Sequence, residues 1–286
     1  MSSASIFPPW LKKTLLSAET VYRTYDAIKD AGANTVCEAS QCPNLNECFS
    51  KGHATFLILG SVCTRPCGFC AAVCGQPLPP DPREGFRILK VVKSLAIDYV
   101  IITSVTRDDL PDGGAAHYGD VIETLRAYNE RLQIELLIPD FKGMRRSIEF
   151  VASYSPDIFG HNIETVPRLY REVRPAADYN RSLDVLRWAK ESRPGLVTKS
   201  AILLGFGEET DEVTECMKGL RSVGCDILNI GQYLRPSGRQ ISVKRFVEPA
   251  EFKDLEDIGY GMGFKSVSSG PFVRSSYNQK EVLRTW

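Results

Sequence analysis

Six short apolar runs recur along the chain after residue 50, with stretches of helical periodicity between them. The runs are Ala54–Gly60, Tyr99–Ser104, Ile134–Pro139, Asp157–Gly160, Thr198–Leu204 and Ile227–Gln232. They are continuously apolar rather than alternating, as strands buried on both faces of a parallel sheet must be. Helices are expected at Ala115–Glu130, Asn180–Glu191 and Asp211–Val223, the last with Val213, Met217 and Leu220 on one stripe. Strand and helix alternating in this way predict a parallel α/β fold. No G-x-G-x-x-G follows the first run, so six such units favour an incomplete barrel over a dinucleotide-binding sheet.

Polar residues concentrate just past these runs: Arg107, Asp108 and Asp109, then Asp140, then His161, Asn162 and Glu164, then Glu208, then Gln232 and Tyr233. In barrels of parallel strands the active site sits at this end. The Pro-rich Gln76–Gly85 reads as a loop.

The chain has 286 residues with 43% hydrophobic content, enough for one barrel-sized domain or two smaller ones. Its formal net charge is zero, which gives no global electrostatic case for nucleic acid or an anionic membrane. No apolar run reaches the roughly 18–20 residues of a membrane span. The opening MSSASIFPPWLKK lacks a signal-peptide core, so a cytoplasmic location is expected.

Six of the nine cysteines form two triplets, Cys37/Cys42/Cys48 and Cys63/Cys67/Cys70. A disulfide scaffold fits poorly, because the chain is long, the count is odd and no secretory signal is visible. Zinc fits poorly too, because the spacings are uneven and the three histidines are scattered. The second triplet, CTRPCGFC, is a C-x3-C-x2-C. Three thiolates this close on a loop can hold three irons of a [4Fe–4S] cluster. Such clusters ordinarily take four cysteines, so one iron would stay open for chemistry. The first triplet, C-x4-C-x5-C, lacks a fourth donor, which draws attention to RSSY at Arg274–Tyr277. Cys216 and Cys225 read as small buried residues, and Cys74 as an unliganded loop thiol.

CTRPCGFC, with Phe69 beside it and directly after the first strand, resembles the cluster loop of the radical S-adenosylmethionine (SAM) enzymes. Over nearly its whole length the chain resembles the lipoyl synthase family. The resemblance runs through PPWLKK, NTVCEASQCPNLNEC, ATFLILGSVCTRPCGFC, ITSVTRDDLPDGGA, IPDF, HNIETVPRLYREVRPAADYNRSL, GQYLRPS and GPFVRSSY.

The resemblance implies a partial (β/α)6 TIM-like barrel with N- and C-terminal extensions, at residues 1–52, 53–247 and 248–286. It implies two [4Fe–4S] clusters and SAM. Cys63, Cys67 and Cys70 would hold the cluster that cleaves SAM to methionine and a 5′-deoxyadenosyl radical. Cys37, Cys42 and Cys48 would hold the auxiliary, sulfur-donating cluster, with Ser276 as its fourth ligand and Ser275 the rival. The implied reaction inserts two sulfurs at C6 and C8 of an octanoyl chain amide-linked to a carrier lysine. Implied partners are octanoylated lipoyl carrier domains of E2 subunits or the glycine-cleavage H protein, with ferredoxin or flavodoxin as electron donor.

SAM contacts are expected at Phe69, Asn162, Glu164, Lys199 and Ser200, with Gly205 and Gly207 letting backbone approach a ligand. Arg235 and Arg274 are candidates for substrate or cluster control. Ala71 departs from the family, where Asp is common, and so does the tail NQKEVLRTW. The competing readings are another radical SAM sulfur inserter, such as biotin synthase or a methylthiotransferase, and an iron–sulfur electron carrier.

Overall fold

The computed structural model describes residues 7–13 and 18–277; the tail NQKEVLRTW lies outside the described residues. The N-terminal segment contributes α1 (Ala18–Ala31), β1 (Asn34–Thr35), α2 (Val36–Ala39) and α3 (Leu45–Ser50). Then come β2 (Thr55–Ile58), the two-residue strands β3 (Val62–Cys63) and β4 (Val73–Cys74), α4 (Glu84–Leu95), β5 (Tyr99–Ser104), α5 (Ala115–Tyr128), β6 (Gln133–Leu137), α6 (Arg145–Ser153) and β7 (Ile158–Gly160). The chain continues through α7 (Tyr170–Val173), α8 (Tyr179–Ser192), β8 (Thr198–Leu204), α9 (Thr210–Ser222), β9 (Ile227–Gln232), α10 (Pro249–Gly261) and β10 (Ser266–Gly270).

The main sheet runs β1-β2-β5-β6-β7-β8-β9-β10. Every neighbouring pair is parallel except β1 against β2. The six expected barrel strands are therefore present in chain order. Each extension adds one strand more: β1 at one edge, and β10 as a seventh parallel strand at the other. The expected fold class, an α/β partial barrel, holds.

Burial on both faces explains the continuous apolar runs. Along β5, Val100 and Ile102 join a core with Ile88 and Val91 of α4 and Tyr118 and Ile122 of α5. The alternate residues Tyr99, Ile101 and Thr103 line the barrel's interior. A second core packs Val213, Met217 and Leu220 of α9 against Ile202, Leu228 and Ile230, with Phe252 and Leu255 of α10 beneath. Cys216 and Cys225 lie in this second core, as expected of small apolar residues. Truncating a fully buried side chain such as Ile102 to Ala would cost about 2–5 kcal/mol.

Strand ends differ from the expected ones for local reasons. The first run stops at Ile58 because Leu59 and Gly60 turn left-handed, with φ of 66° and 83°. Glu84 caps that turn by accepting the amides of Leu59 and Gly60 at 2.7 and 3.0 Å. Arg107 donates to the Leu59 carbonyl at 3.1 Å. The third strand ends before Pro139, which has no amide to give to a ladder. Helix starts are chemically marked: Asp178 accepts the Arg181 amide at 2.8 Å, and Glu209 with Glu212 forms a capping box. Among the described residues, no helix is long and apolar enough to cross a membrane.

Candidate active site

Both cysteine triplets line one cavity at the C-terminal ends of the barrel strands. Cys63 closes β3, and Cys67 and Cys70 lie in the loop that leads to β4. Backbone amides point at two of these sulfurs: Arg65 N lies 3.4 Å from Cys63 Sγ, and Ala72 N lies 3.4 Å from Cys70 Sγ. The loop is pinned from outside. Gly68 donates its amide to Val173 O at 2.9 Å, and Gln240 donates to Cys70 O at 3.2 Å. Cys74, the register partner of Cys63, is exposed and does not line the cavity.

Cys37 sits on α2, whose first turn is capped by Thr35. Cys42 follows a left-handed Gln41 (φ 53°), and its amide bonds Cys37 O at 3.0 Å. Cys48 is on α3. Burial pushes the Cys37 thiol up to about 12 and those of Cys48 and Cys67 up to about 11. Burial raises Cys70 as well. These thiols are protonated when no metal is bound, so metal binding must release their protons.

The segment after β10 forms a strap over the first triplet. Asn44 donates to Phe272 O at 2.6 Å, and the Tyr277 hydroxyl donates to Glu47 at 2.8 Å. Lys13 bridges Asn44 and Glu47 at 2.6 and 2.7 Å. From the barrel side, the Asn229 amide reaches Arg274 O and Ser275 O at 2.8 and 3.2 Å. A β-carbon on Gly231 would lie 2.0 Å from Val273 O, so only glycine lets the strap pass there. Ser276 lines the cavity that holds both triplets.

Between the triplets the cavity is charged. Asn162 donates to Glu164 at 2.9 Å, and Arg174 donates to the Asn162 and Ile163 carbonyls at 2.9 and 3.1 Å. Burial raises the Glu164 carboxyl, with Arg174 and Asn162 opposing the shift. Glu164 holds a left-handed backbone (φ 64°), enforced by its amide bonding Ala201 O at 3.0 Å and its carbonyl accepting Leu203 N at 2.8 Å. Strain of this kind at a non-glycine residue costs on the order of 1–3 kcal/mol and concentrates at functional sites. Beside the second triplet, Phe69 meets Phe206 edge-on at 6.2 Å, and Phe206 stacks on Tyr233 at 4.4 Å.

The structure thus brings Phe69, Asn162 and Glu164 into the cavity with all six cysteines and Ser276. Lys199 and Ser200 do not reach it. Lys199 is fully buried at the inner base of the barrel, where it pairs with Glu135, which also accepts from the Tyr99 hydroxyl. Ser200 points the other way, since alternate strand residues face opposite sides, and accepts the Ile163 amide at 3.2 Å. Gly205 makes room for Gln232 and the Arg245 carbonyl rather than for a ligand, and Gly207 also lies outside the cavity lining. Arg235 is spent on carbonyls of its own loop, Gln240 and Gly238. Arg274 lines the cavity. Sequence reasoning passed over Arg174 and Asn229; the one visible signal was a polar Asn inside the apolar Ile227–Gln232 run.

Residues 57–220 match the Radical SAM superfamily. The chain is 49% identical to the lipoyl synthase of Caldanaerobacter subterraneus subsp. tengcongensis, over 95% of each chain. It is 48% identical to the lipoyl synthase of Aquifex aeolicus, over 96% of this chain and 99% of the relative. The chain belongs to the lipoyl synthase family. Among solved structures it resembles HydG, a maturase of the [FeFe]-hydrogenase, with a TM-score of 0.58 and 16% identity, over 93% of this chain and 74% of that one. It also resembles methylornithine synthase (PylB), with a TM-score of 0.54 and 16% identity, over 95% of this chain and 88% of that one. At such identities the likeness shows the fold alone.

As a lipoyl synthase family member the chain takes two [4Fe–4S] clusters and SAM as cofactors. Its donor sets suit them. Among the described residues, no three His, Cys, Asp or Glu side chains close on a single metal ion. Each triplet instead offers three soft thiol donors to the cavity, the donor type that iron–sulfur clusters take. Each triplet is one protein donor short of four, and the second has amides already directed at its sulfurs.

Proposed function

We propose that this chain inserts two sulfur atoms at C6 and C8 of a protein-bound octanoyl-lysine, giving lipoyl-lysine, with the two triplets in different roles. The observation that carries the reading is that both triplets open onto one cavity, with the RSSY strap closing over the first. An acyl chain entering that cavity meets both sets of thiolates without leaving the barrel.

Cys63, Cys67 and Cys70 are the ligands of the cluster that works with SAM. That cluster and SAM, when bound, supply the electron and the 5′-deoxyadenosyl radical that removes hydrogen from an unactivated carbon. The chain's own residues bind, orient and shield. Phe69, with Phe206 and Tyr233 behind it, offers an aromatic wall for an adenine ring. Asn162 and Glu164, fixed by Arg174 and by the strained backbone at Glu164, offer acceptors for ribose hydroxyls or the amino group of SAM. Arg174 and Arg274 balance the carboxylate charge in a site whose apolar walls exclude water.

Cys37, Cys42, Cys48 and Ser276 hold the auxiliary cluster, which is a substrate here: the store from which sulfur leaves. A serine oxygen is a harder and weaker partner for iron than a thiolate, which suits a ligand that must let go. The carriers are octanoylated lipoyl domains of E2 subunits or the glycine-cleavage H protein. The electron donor is a ferredoxin or flavodoxin, and the location is cytoplasmic.

Two triple variants test the division of roles. Replacing Cys63, Cys67 and Cys70 by Ala should abolish SAM cleavage while one cluster remains. Replacing Cys37, Cys42 and Cys48 by Ala should leave SAM cleavage intact and stop carbon–sulfur bond formation. 5′-Deoxyadenosine made by the first variant, or lipoyl-lysine made by the second, would refute the assignment.

A further inference from the structure

The geometry points to Arg65 as a positioning residue that bolts the Cys63–Cys67 loop to two strand ends and cancels the carboxylate charge beside it. Its Nε and one terminal nitrogen reach both oxygens of Asp108 at 2.6 and 2.8 Å. Its terminal nitrogens also meet both oxygens of Asp140, at 3.0 and 2.7 Å. Asp108 follows β5 and Asp140 follows β6, so one side chain ties the loop to consecutive strands. The Arg65 side chain is 6% exposed and that of Asp140 is 0% exposed. Arg181 also lies 3.2 Å from Asp140, at the oxygen that Arg65 meets at 3.0 Å, so two guanidinium groups share this carboxylate. Thr64 adds a second fastening. Its amide and hydroxyl both donate to Thr106 O at 3.0 Å, and its hydroxyl accepts the Asp108 amide at 3.0 Å.

A planar, five-donor guanidinium can span two carboxylates at once; an ammonium keeps the charge but not the fork. Charge near an iron–sulfur cluster shifts its potential, because reduction adds negative charge to a group that thiolates already make anionic. Removing Arg65 takes one positive charge from beside the loop and disfavours the reduced state. Removing the charge of Asp108 leaves surplus positive charge and favours it. The inference rests on the proposed cluster role of Cys63, Cys67 and Cys70.

The experiment is a redox titration followed by electron paramagnetic resonance, in the chain carrying Cys37, Cys42 and Cys48 replaced by Ala so that one cluster reports. Iron in this parent is measured first; its absence counts against the cluster assignment rather than against Arg65. Arg65→Gln should move the midpoint to more negative values and Asp108→Asn to more positive ones. Arg65→Lys should keep the parent's midpoint but lose iron faster to a chelator. Shifts of the same sign in Arg65→Gln and Asp108→Asn, or no shift in either, would overturn the proposal. Should Arg65→Gln hold no cluster, the other two variants decide. Faster iron release in Arg65→Lys and Asp108→Asn, with the midpoint moved only in Asp108→Asn, supports it. Unchanged release in both overturns it.

Discussion

The Ser275 hydroxyl donates to the Asn162 side-chain oxygen at 3.0 Å. This bond joins the C-terminal strap to the loop after β7, and it separates two adjacent serines that sequence alone leaves as rivals. Ser275 is engaged by Asn162, whereas among the described residues Ser276 makes no hydrogen bond through its hydroxyl and lines the same cavity.

The two serines should therefore fail differently. Ser276→Ala should lose roughly half the iron of the wild-type chain, that of one of two four-iron clusters, and make no lipoyl product. Ser275→Ala should keep its iron and bind SAM more weakly, through a loosened Asn162. Iron analysis and SAM binding by calorimetry read the two effects. Iron loss in Ser275→Ala with full iron in Ser276→Ala would reverse the assignment.

Gly231 is a second point of leverage on the strap. Gly231→Ala drives a methyl group into Val273 O, and overpacking of this kind costs about 1–3 kcal/mol. The strap can yield where the barrel cannot, so the cost should fall on the strap. The expected result is faster loss of auxiliary iron to a chelator, with SAM cleavage preserved. Unaltered iron retention would mean that the strap does not guard that site.

His161 predicts an acid-side effect. Its Nδ1 donates to Ile138 O at 2.9 Å, and burial pushes the imidazole down to about 4, against about 6.5 in an unfolded chain. The unfolded chain therefore takes up the proton first. Stability tied to this residue is complete above pH 6.5 and is lost as pH falls toward 4. His161→Asn can keep the donor and cannot titrate. Relative to wild type its stability should rise as pH falls from 7 to 4, by about 3 kcal/mol at the lower end. Urea unfolding of the cluster-free chains at several pH values measures this; parallel curves would contradict it.

The parts of the fold legible in sequence are those where one local property decides. Val100 and Ile102 on one face of β5, with Ile101 on the other, make a strand that reads as apolar throughout. β10, Ser266–Gly270, escaped because an edge strand of small polar residues gives no apolar run, although it pairs with β9 along its whole length. Cysteine spacing marked both triplets, but only the fold brings Cys37, Cys42 and Cys48 to one cavity with residues 273–277. Lys199 was misplaced because its partner Glu135 is 64 residues away. A charged residue in a buried strand looks like a ligand contact until its counter-ion is seen. Gly205 had the same fault: it yields to Gln232, not to a ligand.

Sulfur bookkeeping tests the central claim most directly. The auxiliary cluster would be rebuilt with heavy sulfide in a chain holding both clusters. That chain would then be given SAM, a low-potential reductant and an octanoyl-lysine peptide, without oxygen and with ordinary sulfide in solution. Mass spectrometry of the first turnover should find both sulfurs heavy and about one lipoyl group at most per chain. A first product carrying ordinary sulfur, or many turnovers without any cluster-rebuilding protein, would contradict the account.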